Sequence, residues 1–216
     1  MSTAILVLLI FVIIILTCVL FLQFINTFSH LETHSFFKYF RKKKDDNFDK
    51  MVSFANKLSS ALLKMSIDKV GALIVIEKNQ SLQQYINIGS KIESEFLPEL
   101  IYTIFYNKKS PLHDGAIIVR DWKIVSVSSY WPTSKRIVNI SYGARHRAAF
   151  GITEKFDCFA FVVSETTGQI TEVHLDEVSK LSNVPEKLTN QIIKIFTTAN
   201  AVTPPLNSKK VKKNGK

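Results

Sequence analysis

At 216 residues, with 46% apolar and 21% charged side chains, the chain has the composition of one globular domain with attachments, which excludes a disordered or collagen-like polymer. Its two cysteines, Cys18 and Cys158, sit in apolar runs with no partner spacing, which excludes a zinc finger and a secreted disulfide framework. The net charge of +10 is confined to two tags, five cations in 38–44 and five in the tail from Lys209; the remaining 18 cations balance 18 acids, so no nucleic acid is expected on the body.

Residues 4–25 are 22 consecutive positions whose only polar members are Thr17, Cys18 and Gln23. At about 1.5 Å per residue they span a hydrocarbon core of about 30 Å. A cleaved signal peptide would need a basic start, a shorter apolar stretch and a small-residue cleavage site, so a permanent single-pass anchor in the cell membrane is expected. The basic residues Lys38, Arg41, Lys42, Lys43 and Lys44 follow the span closely and place the rest of the chain in the cytoplasm. Residues 26–68 read as a basic juxtamembrane linker and an amphipathic helix. In that helix Phe48, Met51, Ala55, Leu58, Leu62 and Met65 recur at steps of three and four. Such a seam serves either to dock on the following domain or to pair with a second copy near the membrane.

Residues 69–200 read as the main domain. Val70–Glu77 predicts a buried strand. Phe96–Tyr106 predicts a helix with Pro98 in its first turn. Ala116–Arg120 and Ile124–Ser128 flank Asp121–Trp122 as a hairpin. Ser141 can cap a short helix ending at Gly151. Strands follow at Phe159–Ser164 and Gln169–His174, and Pro185–Asn200 predicts a closing helix. Residues 201–216 read as a disordered basic tail. This order predicts an α/β domain, a mixed β-sheet flanked by helices after one N-terminal transmembrane helix.

Three polar clusters interrupt the apolar pattern at element ends, where a rigid sheet displays functional groups. In Leu112-His113-Asp114-Gly115-Ala116, the Asp-Gly pair makes a turn, or holds a divalent cation beside a backbone that can approach a phosphate. Gly143-Ala144-Arg145-His146-Arg147-Ala148-Ala149 opens a helix, where guanidinium groups and free N–H groups favour an anion; a solvated basic turn is the plain alternative. Ser164-Glu165-Thr166-Thr167-Gly168 is ordinary turn chemistry unless it joins the other two. Together they offer a nucleotide site without a Walker loop or a Gly-x-Gly-x-x-Gly fingerprint.

GALIVIE, PLHDGAIIV, Tyr130-Trp131-Pro132, GARHRAAFGITE and VVSETTG, in this order, resemble the diadenylate cyclase domain over about residues 69–175, most nearly its single-span, membrane-anchored form of the mycoplasma type. The resemblance implies condensation of two ATP into cyclic di-AMP and two pyrophosphates with Mg²⁺, Mn²⁺ or Co²⁺, in a homodimer whose two sites face each other. It implies Asp114 as the catalytic, metal-binding carboxylate and His113 and Glu165 as further metal ligands. For ATP it implies Gly115, Ala116, Tyr130, Trp131, Gly143, Arg145, His146, Arg147 and Ser164, with Tyr130 and Trp131 at the adenine. Two positions depart from the family pattern: Ala144 stands where a Thr is usual, and Thr166 replaces the second Glu of Ser-Glu-Glu. An inactive nucleotide-binding regulator and a polybasic adaptor are the competing functions.

Overall fold

The computed structural model describes residues 2–131, 143–175 and 177–202, with side chains apart from those of 2–4, 6–7, 26–45 and 199–202. The side chains of the basic cluster 38–44, the cap Ser141, Pro132 and the tail from Thr203 lie outside the described residues. The chain divides into two compact units, Met1–Asp49 and Lys50–Lys216. Helix α1 (Ser2–Ile67) contributes to both.

In the first unit, Leu8–Ile25 has a mean hydropathy of 3.1 and is nowhere buried, so it is long and apolar enough to cross a membrane. Thr17 donates its hydroxyl to the Ile14 carbonyl at 2.9 Å, which satisfies that polar group inside the helix.

The second unit begins at Lys50, earlier than the boundary at 69 read from sequence, because the apolar seam of α1 lies inside its core. Met51, Phe54, Ala55, Leu58, Ala61, Leu62 and Met65 are each at most 4% exposed, whereas Phe48 lies in the open. The seam therefore docks on its own domain.

Seven strands form one sheet: β1 (Ala72–Glu77), β2 (Ser90–Glu95), β3 (Ala116–Arg120), β4 (Lys123–Ser129), β5 (Cys158–Val163), β6 (Ile170–His174) and β7 (Glu177–Lys180). Their order is β2-β4-β3-β1-β5-β6-β7. Only β1 and β3 run parallel, so the sheet is mixed, as the sequence predicts. The other helices are α2 (Gln83–Ile88), α3 (Pro98–Tyr106), α4 (Ala144–Thr153) and α5 (Pro185–Val202), with a 3₁₀ turn at Pro111–His113.

β1 reads ALIVI without polar interruption before Glu77 because both of its faces are covered. Ala72, Ile74 and Ile76 pack with α1, α3 and α5, while Leu73 and Val75 pack with residues of α2 and α4. Pro98 opens α3, where its missing N–H is not needed, and α4 runs past Gly151 to Thr153.

The register separates two ends of the sheet. Where β1 and β3 finish, Arg120 grips Glu77 with two 2.8 Å bonds, from Nε and Nη2. Nearby Asp157 accepts from Lys78 at 3.2 Å and Asn79 at 2.6 Å and meets His174 Nε2 at 3.0 Å. Burial alone would raise the Asp157 pKa, but these three partners hold it below the usual carboxylate range. At the opposite end, Ala72 pairs with Val163 and Ala116 with Ser129, which brings Gly71, Gly115, Ser164 and Tyr130 to one edge.

Candidate active site

All three polar clusters belong to this second end. Ser110 caps the 3₁₀ turn, accepting from Leu112 N at 3.2 Å. The turn is also held by Ser128, which donates to the Pro111 carbonyl at 3.0 Å from a left-handed backbone (φ 54°) at the irregular end of β4. Gly115 has φ 84°, and a Cβ there would lie 2.5 Å from the Ser129 carbonyl oxygen. Glycine is therefore required at the entrance to β3 for backbone packing as well as conformation.

The turn presents His113 Nε2 to Asp114 Oδ1 at 3.2 Å, while His113 Nδ1 lies 2.6 Å from the Ser110 carbonyl oxygen. A carbonyl oxygen only accepts, so Nδ1 carries a proton. With Nδ1 turned to Ser110, Nε2 is the ring nitrogen that faces the Asp114 carboxylate. This donor pair suits a divalent ion that takes its other ligands from phosphate oxygens. No group of three or more His, Cys, Asp or Glu that could hold a metal occurs among the described residues.

Helix α4 starts beside these groups without a side-chain cap. Gly143 is its N-cap, exposed and with nothing within 4 Å of where a Cβ would stand, so the helix start carries no capping side chain of its own. Ala144 and Arg147 are exposed, and Arg145 is half-buried. Arg145 Nη1 donates to Glu165 Oε2 at 3.2 Å, and Lys108 Nζ donates to Glu165 Oε1. The Lys108 hydrogen bond, with Arg145 behind it, holds the Glu165 carboxyl below its usual range, so it stays ionised at neutral pH. Gly71 leaves room for this arrangement, since a Cβ there would lie 2.6 Å from Arg145 Nη1 and 2.9 Å from Glu165 Cβ.

A family model described as "DisA bacterial checkpoint controller nucleotide-binding" (DAC) matches residues 59–178, more than half of the chain. The chain belongs to the diadenylate cyclase family. It is 53% identical over 151 residues to the diadenylate cyclase of Mycoplasma genitalium, covering 70% of this chain and 75% of that protein. To the diadenylate cyclase of Mycoplasma pneumoniae it is 52% identical over 145 residues, covering 67% and 72%. Among solved structures, a double mutant of DacA from Staphylococcus aureus matches at 36% identity with a TM-score of 0.59, covering 74% of this chain and 97% of that one.

Several residues carried over from the diadenylate cyclase resemblance are placed differently by the structure. Trp131 is 3% exposed and packs against Tyr85 with ring centroids 3.5 Å apart, so it props the surface from beneath, and its Nε1 has no hydrogen-bond partner among the described residues. Its neighbour Tyr130 is exposed and lines a cleft of about 420 Å³ with Gln84, Tyr85 and Ile88. His146 is buried, and desolvation lowers its pKa, so a neutral core histidine stands where a phosphate contact was expected. Ala116 is likewise core, at 1% exposure. The Ser164 hydroxyl accepts from Thr167 N at 3.3 Å and lies 3.1 Å from Thr166 Oγ1, so it shapes its own turn. Glu165, expected at a metal, meets the side chains of Lys108 and Arg145. Sequence reasoning missed Lys108, one charge among several in a polar loop, and the spatial role of Gly71, visible only once β1 is seen to start beside Arg145.

Proposed function

We propose that the chain condenses two ATP molecules into cyclic di-AMP and two pyrophosphates, each ATP held by one copy of a homodimer. The carrying observation is that the His113/Asp114 pair, Arg145 and the uncapped start of α4 occupy one end of the sheet in a member of the diadenylate cyclase family. Among the described residues one chain holds one such set, whereas the product needs two reacting nucleotides, which supports the facing pair.

The triphosphate lies against the first turn of α4, with Gly143 giving open access and Arg145 and Arg147 supplying charge. Tyr130 and the cleft beside it offer an aromatic face to adenine. Each 3′ oxygen bonds to the α-phosphorus of the other ATP, the bond from that phosphorus to its β-bridging oxygen breaks, and pyrophosphate leaves with the electron pair. Asp114, 73% exposed at its side chain and so open to a second nucleotide, orients the 3′-hydroxyl and takes its proton. Asp114 and His113 would hold a divalent ion (Mg²⁺, Mn²⁺ or Co²⁺), which when bound neutralises charge on the phosphates. Leu8–Ile25 anchors the chain in the cell membrane as a single pass, and the basic residues after it favour a cytoplasmic active site. Tethering keeps a second copy at high effective concentration.

The test is full-length protein in detergent with ATP and Mn²⁺, the products identified by mass spectrometry. Wild type should yield cyclic di-AMP, and Asp114→Asn should bind ATP but yield none. Bound ATP without product from wild type would instead identify an inactive regulator, and normal turnover by the Asn variant would remove Asp114 from the mechanism.

A further inference from the structure

Glu165 ties together the three segments that build the site. It stands in the β5–β6 turn, and its two oxygens are taken by cations from two other places, Lys108 before the 3₁₀ turn and Arg145 in α4. The backbone around Lys108 is closed on itself: Ser110 N bonds Asn107 O at 3.0 Å and Lys109 N bonds Asn107 Oδ1 at 3.2 Å. The loop therefore delivers the ammonium group from a fixed base.

This pairing differs in kind from the grip of Arg120 on Glu77. There the partners are 30% and 13% exposed and the fork is bidentate, a structural clamp. Lys108 and Glu165 are 65% and 45% exposed, and pairs so open to water contribute little, so they exchange partners readily. The three groups together carry one net positive charge. Two cations converging on the two oxygens of a carboxylate also suit two oxygens of a phosphate, which bears more charge.

We propose that Lys108 binds the outer phosphates of the nucleotide, held ready beside Arg145 by Glu165, whose carboxylate occupies the place a substrate phosphate takes. Glu165 is then a placeholder rather than a metal ligand, and the site gains a cation that the resemblance does not supply. The inference rests on the nucleotide reading above and names a further contact within it.

The full-length protein is titrated with 3′-deoxy-ATP, which lacks the reacting hydroxyl, and with 3′-deoxy-AMP, which lacks the outer phosphates, both with Mg²⁺. Lys108→Met should weaken 3′-deoxy-ATP binding about tenfold, the scale of one charge-assisted bond, and leave 3′-deoxy-AMP within about twofold, the scatter of near-neutral surface changes. Lys108→Arg should restore most of the loss, and Glu165→Gln, which removes the competing anion, should tighten 3′-deoxy-ATP binding. Unchanged 3′-deoxy-ATP affinity in the Met variant, an equal loss for both nucleotides, no rescue by Arg, or weaker binding by the Gln variant would each overturn the proposal. Wild type that binds neither nucleotide and makes no cyclic di-AMP would instead refute the nucleotide reading itself.

Discussion

Removing the end of α1 should abolish folding of the domain. A fragment beginning at 69 retains every strand and all three polar clusters but loses Met51, Phe54, Leu58, Leu62 and Met65, each at most 4% exposed. At about 1.5–3 kcal/mol for each large side chain buried, the loss is about 8–15 kcal/mol. That equals the whole stability of an ordinary domain, about 5–15 kcal/mol. A fragment of residues 46–202 keeps the seam and should melt cooperatively, whereas 69–202 should show no thermal transition by circular dichroism and make no cyclic di-AMP. Within the longer fragment Leu58→Ala, at a fully buried position, should cost about 2–5 kcal/mol. Cooperative melting and cyclase activity of the 69–202 fragment would show that the seam is an accessory to the core.

Gly71→Ala places a methyl group 2.6 Å from Arg145 Nη1 and 2.9 Å from Glu165 Cβ. It should cost about 1–3 kcal/mol in chemical denaturation and raise the KM for ATP, and a neutral result in both assays would refute the packing argument. Glu172 is 5% exposed on β6, and burial, then Glu177, push its carboxyl up to about 7 from an ordinary 4.5. The folded form thus prefers the proton. Stability from this group is complete below about pH 4.5 and falls as pH rises to about 7, by up to about 3 kcal/mol. Glu172→Gln should therefore raise the Tm at pH 8 and change it little at pH 4, as followed by thermal melts.

Legibility in the sequence followed burial. β1, β3 and β5 carry apolar runs because both faces of the central sheet are covered, and α3 and α5 carry an apolar face with proline at the start. The edge strands were silent for the same reason: β7 is exposed at all four positions, and β2 has one apolar residue, Ile92, among six. Neither has a hydrophobic alternation to read. α2 is only six residues long and passes for a loop. At the site, Asp114, Arg145 and Glu165 were legible as charges at element ends. Their partners were not, because Lys108 reaches Glu165 across 57 positions and looks, in sequence, like any solvated lysine. The split between Tyr130 and Trp131 was equally hidden, since neighbouring aromatics at a strand end look alike until one of them meets Tyr85.

The two ends of the domain meet on one face of the sheet: Phe54 of α1 lies 6.0 Å, ring to ring, from Phe196 of α5. The first core element to leave the ribosome is thus completed by nearly the last. Until the sheet and then α5 have emerged, the seam Met51–Met65 lacks part of its cover, and this apolar stripe lies downstream of Leu8–Ile25, a segment able to enter the bilayer. The nascent chain must keep that stripe from lipid, from neighbouring chains and from proteases until Leu188, Ile192 and Phe196 emerge. A premature stop before Pro185 would leave the three clusters of the site intact in sequence yet yield a chain that is cleared rather than one that is merely slow.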